Sequence, residues 1–247
     1  HWIGEAPQML AMAQRKGVVT QMGNQGHSIP GCWEVRAMVH SGIVGPVRAI
    51  HCWTNRPSSW PQGIPAPTET PPVPEHFAWD LWVGVAPARP YHPAYAPHKW
   101  RGWWDFGSGS LGDMACHIMD AAFTAMDFEG AVTVSADHTG FNGESFPASS
   151  VLAYAFGPRG NMPACTLYWY DGGNKPTRPE GFAADVELGD DGQNGSLFIG
   201  DKGIITAGEY GTRPRILDEA LQAEWDATKP EIQRSRNHAR SSNSSRP

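Results

Sequence analysis

Residues 112–120 read GDMACHIMD, placing two carboxylates and an imidazole at helical spacing. Asp113, His117 and Asp120 stand at i, i+4 and i+7, which at 3.6 residues per turn brings all three onto one face. The opposite face carries Met114 and Ile118 and runs on into Ala121, Ala122 and Phe123, an apolar surface suited to inward packing. The spacing predicts a helix over Leu111 to Met126. Its polar stripe is either a solvated surface or the wall of a site.

Upstream of that helix the chain is crowded with tryptophan. HCWTNRPSSWPQG and HKWRGWWDFGSGSLGD combine indoles, amides and cations in long irregular stretches, and Pro57 to Pro74 is too rich in proline for regular structure. Flat apolar rings with polar neighbours suit a ligand with an apolar face and a polar rim, such as a sugar, although any one ring can equally plug the core beneath a loop. A loop this long without periodicity either packs down or serves a site.

The remaining elements follow from periodicity. Pro7 to Lys16 reads as a helix closed by Gly17, and Val18 to Met22 as a short buried strand, together half of an αβ unit. The loop GNQGHS follows, at the strand end where open α/β sheets bind ligands. Trp33 to His40 is a second helix and Val47 to Asn55 a strand. After the central helix come strands at Val132 to His138, Ser150 to Phe156, Ala164 to Tyr170, Val186 to Leu188, Ser196 to Ile199 and Gly203 to Ala207. An αβ piece, a helical middle and a run of strands define an α+β chain with a sheet faced by helices.

The totals exclude several classes. With 247 residues, 40% hydrophobic and 18% charged, the chain is long enough for a sizeable core. Nineteen Lys and Arg against 25 Asp and Glu give a net charge of −6, so nucleic acid is not an expected partner, and the arginines of PEIQRSRNHARSSNSSRP read as a solvated tail. No apolar run is long enough to span a bilayer and the first residues lack a signal-peptide pattern, so a soluble chain, cytoplasmic or periplasmic, is expected. Cys32, Cys52, Cys116 and Cys165 form no C-x-x-C pair and read as free thiols.

Two stretches, VVTQMGNQGHS and WWDFGSGSLGDMACHIMD, resemble the Gfo/Idh/MocA family of nicotinamide-dependent oxidoreductases, in particular its tryptophan-rich bacterial subgroup, over about residues 1–217. The resemblance implies an open, mostly antiparallel sheet that builds the substrate site and the oligomer interface, preceded by the last αβ unit of a Rossmann domain. G-x-G-x-x-G and Glu-Lys-Pro, both expected of the family, do not occur. The expected organisation is therefore a dinucleotide-domain remnant at 1–28, a substrate-binding and oligomerisation domain at 29–217, and a tail at 218–247, partly disordered.

Oxidation of a secondary alcohol needs a base for the hydroxyl proton as hydride leaves carbon, and histidine suits that task near neutral pH. His117 is the candidate base and Asp113 the carboxylate that orients it or binds the same hydroxyl, the roles the resemblance implies for this motif. Asp120 either fixes the other ring nitrogen of His117 or caps local structure. Lys99, Arg101 and Trp104 precede the helix as substrate contacts, with Asp105 a contact or a loop anchor. The resemblance places Asn24 and Gln25 beside NAD or NADP and His27 beside substrate. Tyr168 and Tyr170 share one strand face, near Asp171, facing a pocket or a subunit contact. A metal held by Asp113, His117 and Asp120, joined by His51 or His98, is the rival chemistry; no metal is assigned.

The expected activity is that of the substrate-binding, catalytic half of a dehydrogenase acting on a sugar or cyclitol, with a homo-oligomer formed through the sheet. A nicotinamide-dependent glycosidase and a non-catalytic carbohydrate-binding module are the alternatives.

Overall fold

The computed structural model describes residues 4–128 and 133–232. In chain order its elements are helices α1 (Glu5–Lys16) and α2 (Pro30–Ser41), strand β1 (Val47–Trp53), the short helix α3 (Trp79–Val83), helices α4 (Gly109–Ile118) and α5 (Asp120–Met126), strands β2 (Thr133–Thr139), β3 (Ser149–Phe156), β4 (Cys165–Asp171), β5 (Gly195–Gly200), β6 (Ile204–Ala207) and β7 (Arg215–Ile216), and helix α6 (Glu219–Thr228). The strands form one sheet in the order β2-β3-β4-β1-β5-β6-β7. Only β1 and β4 run parallel; the other neighbours are antiparallel. The α+β reading with an open, mostly antiparallel sheet is borne out.

Alternation in CTLYWYD divides the two faces of β4. Cys165, Leu167, Trp169 and Asp171 are buried, and Thr166, Tyr168 and Tyr170 point the other way. On the buried side Ile50, Cys52, Leu167, Trp169 and Phe198 meet Val35 and Met38 of α2, Ile118 of α4 and Ala122 and Met126 of α5. Apolar spacing at three and four residues along these helices supplies the complementary stripe. Arg36 clamps α2 to the end of α5, donating to Asp127 Oδ1 at 2.6 Å.

Asp171 is 2% exposed, and three donors converge on it: Ser150 N–H (2.6 Å), the Ser150 hydroxyl (2.9 Å) and the Trp169 indole N–H (2.9 Å). It is a structural knot between β3 and β4. Burial pushes its pKa up, and these bonds oppose that shift.

On the far face Trp53, Leu188 and Leu197 form a smaller cluster. Elsewhere on that face His51 stacks on Tyr168 (5.0 Å) and its Nδ1 lies 3.0 Å from the Tyr170 hydroxyl, all three half-buried.

The tryptophan-rich excursion between β1 and α4 has its own core of Trp79, Tyr95 and Trp103 with Phe77, Trp82, Tyr91 and Phe106. Backbone carbonyls take the buried indole N–H groups, Trp79 bonding Arg89 O at 2.8 Å and Trp103 bonding Ala94 O at 2.7 Å. Gln62 ties the proline-rich loop to α4, its Oε1 accepting from Ser110 N at 2.8 Å and from the Ser110 hydroxyl at 3.0 Å.

Several expectations are corrected. Val18 to Met22 forms no strand: Val19 is 98% exposed and Met22 77%, and no described strand pairs with the segment. Apolarity predicts burial, but a strand also needs a neighbour to bond its backbone. Helix α1 does end at Gly17, left-handed at φ 64°, yet Ala13 is its single buried residue. Val186 to Leu188 packs as loop against Trp53 rather than as strand. The helix expected over Leu111 to Met126 is interrupted at Met119, which closes α4 and opens α5. The tail expected from 218 begins with α6, where Asp218 accepts from Leu221 N at 2.8 Å and Trp225 is buried. Val132 and residues 233–247 of the expected tail lie outside the described residues.

Candidate active site

The polar face of α4 and α5 meets the loop before α2, forming a seam. There the chain turns through a 3₁₀ segment, Gln25–Ser28, before Ile29 leads into the proline that starts α2. His117 Nδ1 lies 2.9 Å from Asn24 Oδ1. With the amide oxygen accepting, Nδ1 carries the proton and Nε2 keeps its lone pair. Three residues on, His27 Nδ1 lies 3.1 Å from both carboxylate oxygens of Asp120. That bond fixes the same tautomer in a second ring. The His27 side chain is 43% exposed, so the pair is open to solvent and to a ligand.

Of the alternatives left open for the acids of its own helix, direct pairing with His117 is not the one formed. Asp120 holds His27, because the interruption at Met119 starts a new helix there and the loop supplies a nearer partner. Asp113 is bonded by Arg101 instead, Nε to Oδ1 at 3.2 Å. Arg101 is itself oriented, donating to His98 O at 3.1 Å and lying over the Trp100 ring at 4.7 Å and the Trp60 ring at 5.8 Å.

The Tyr210 ring meets His117 edge-on, 5.1 Å between centroids. It also covers Gly26, where an added Cβ would lie 2.8 Å from Tyr210 Cδ1, so the close approach requires glycine. Burial, followed by the adjacent Glu209, pushes the Tyr210 pKa up and keeps the phenol protonated. GEYGT gave no sign of this role, since its turn reaches the seam only through the fold.

The other expected residues fall outside this cluster. Trp104 is 51% exposed and packs on Phe141 and Phe146, while Lys99 is exposed with no partner among the described residues. Gln25 is exposed in the 3₁₀ turn. Asp105 pairs with Arg89, which also reaches Glu144 at 3.3 Å. Asp171 is the buried knot described above. Asp113, His117 and Asp120 do not converge as a metal centre; among the described residues the donors within 4.8 Å of one another are His27, Cys32 and Asp120. Burial and then Asp120 push the Cys32 thiol up to about 12, so it keeps its proton, 3.9 Å from Asp120 Oδ2.

Beside the seam, residues 20–28 enclose a cavity of about 370 Å³ whose lining includes Asn24, Gln25 and His27. Its amide groups match a nicotinamide carboxamide in hydrogen-bonding chemistry.

Residues 32–146 match the Gfo/Idh/MocA model described as "Oxidoreductase family, C-terminal alpha/beta domain". The resemblance seen in the sequence is thus borne out over the matched segment, which runs from within α2 through the site helices and past β2. No curated protein matches the chain.

Among solved structures, an oxidoreductase from Thermotoga maritima is similar with 11% identity and a TM-score of 0.44, over 85% of this chain and 51% of that one. Levoglucosan dehydrogenase in complex with NADH and levoglucosan is similar with 14% identity and a TM-score of 0.47, over 85% and 48%. The super-repressor mutant of Gal80p from Saccharomyces cerevisiae also has 14% identity and a TM-score of 0.47, over 86% and 48%. The chain spans about half the length of the solved structures it matches. No described helix is long and apolar enough to cross a membrane.

Proposed function

We propose that this chain carries the substrate half of a nicotinamide-dependent dehydrogenase that oxidises a secondary alcohol of a sugar or cyclitol. The observation that carries the reading is His117, held at Nδ1 by Asn24 and keeping Nε2 free on a partly exposed wall. Nε2 takes the hydroxyl proton as the carbinol C–H bond breaks and its electron pair leaves as hydride. Arg101 and Asp113 bind neighbouring hydroxyls as donor and acceptor, and Tyr210 confines the His117 ring. When bound, NAD or NADP supplies the hydride acceptor; Asn24 and Gln25 would hold its carboxamide end.

The exposed apolar residues Met9, Leu10, Val18, Val19 and Met22 support a dinucleotide-binding body packed on residues 1–28, followed by the substrate domain. The half-buried face bearing His51, Tyr168 and Tyr170 supports pairing with a second copy, and light scattering that finds a stable monomer would remove that part.

A second reading follows from the His27–Asp120 pair. Of two imidazoles on one wall, one that has taken up a proton at Nε2 can serve as acid while the other serves as base, as a nicotinamide-dependent glycosidase requires for elimination and re-addition. Assay of the protein with a sugar panel and NAD or NADP tests both: stoichiometric reduction of cofactor supports the dehydrogenase, and glycoside cleavage with catalytic cofactor supports the glycosidase. Unchanged turnover in His117→Ala would sink both.

A further inference from the structure

We infer that the cavity between α3 and the approach to α4 is an outer carbohydrate subsite, and that the natural substrate is a glycan of two or more rings; this rests on the carbohydrate reading above. The cavity has a volume of about 590 Å³, and its walls include the indoles of Trp82 and Trp100, the Phe106 ring and the Asp105 carboxylate.

Both indoles are braced from behind. Trp82 stacks on buried Trp79 at 4.9 Å with an interplanar angle of 12°, and Trp100 carries the Arg101 guanidinium on one face. Each ring is therefore held in place where it lines the cavity, Trp82 also meeting Phe106 at 4.9 Å. Asp105 is fixed by Arg89, which leaves carboxylate lone pairs to accept from hydroxyls. Flat rings with a fixed acceptor between them match a pyranose, apolar on its C–H face and polar at its edge. An open cavity also leaves room for the rest of a chain.

Trp100 links this cavity to the seam. Arg101, on its covered face, bonds Asp113, one turn of α4 before His117. A ring at the seam and a ring on Trp100 thus lie along one wall, in line with a glycan rather than a single sugar.

The test titrates the purified chain with glucose, cellobiose, cellotriose and cellotetraose, and with the maltose series of the same lengths, following tryptophan fluorescence. Affinity in one series is expected to rise about tenfold from one ring to the longest member, the effect of about one good aromatic contact. Trp82→Leu should abolish that rise and leave monosaccharide binding unchanged, and Trp100→Leu should abolish the rise as well. In the unaltered chain the longest sugar should protect indole fluorescence from acrylamide, a readout that depends on no variant. Monosaccharide binding with no gain from length, a gain that survives both variants, or no protection from acrylamide would overturn the subsite alone. Absence of binding by every sugar would overturn the subsite and the proposed function together.

Discussion

The seam between the site helices and the loop before α2, and the sheet behind it, are built with the same polar groups and put them to opposite uses. At the seam the carboxylates of Asp113 and Asp120 and the imidazoles of His27 and His117 are partnered yet open to solvent. In the sheet Asp171 is sealed under three donors, and His51 lies against Tyr168 and Tyr170. Accessibility, rather than residue type, separates the groups proposed to handle protons from those that hold strands together.

The comparison predicts that seam variants alter rate and sheet variants alter stability. His117→Ala should lower turnover by on the order of a thousandfold with the melting temperature unchanged, read by cofactor reduction and calorimetry. An equal loss of stability would erase the distinction. Asp171→Ala should destabilise the fold by about 3 kcal/mol in urea titration by orphaning buried donors, while the surviving folded protein keeps its rate. Asn24→Ala and Asp120→Ala should each slow turnover about tenfold to a hundredfold, because the rings lose the acceptors that fix their tautomers. Arg101→Met should raise KM about tenfold with a smaller change in kcat, consistent with binding rather than proton transfer.

The smallest effect belongs to His51. Burial pushes its pKa below the ordinary histidine value, so the folded chain takes up a proton less readily than the unfolded chain. Stability should be fully present above the unfolded value of about 6.5 and fall as pH drops below it. His51→Gln should flatten that fall in urea titrations between pH 7.5 and 5. An unchanged slope would assign the pH dependence to other groups.

Local pattern made much of this legible. The stripe of α4, the alternation of CTLYWYD and the glycine closing α1 need only neighbours within a few residues, and each formed as periodicity requires. The pairings of the site were not legible: Asn24 with His117 and His27 with Asp120 each span 93 residues, a distance at which sequence spacing says nothing of contact. Helical geometry placed Asp113, His117 and Asp120 on one face but left open which of them touch. Their partners come from Arg101 and the 24–27 loop. Val18 to Met22 failed for a related reason, since hydrophobicity marks a surface to be covered without supplying the cover.

The one parallel ladder, β1 beside β4, obliges the backbone to leave the sheet after Trp53 and return at Cys165 travelling in the same direction. That excursion contains the indole-braced loops, both site helices and the β2–β3 hairpin. Since the site helices and β3 hold the ladder while the indole-braced loops close on a core of their own, new specificities can be introduced by exchanging those loops while the framework that aligns the two ends is kept.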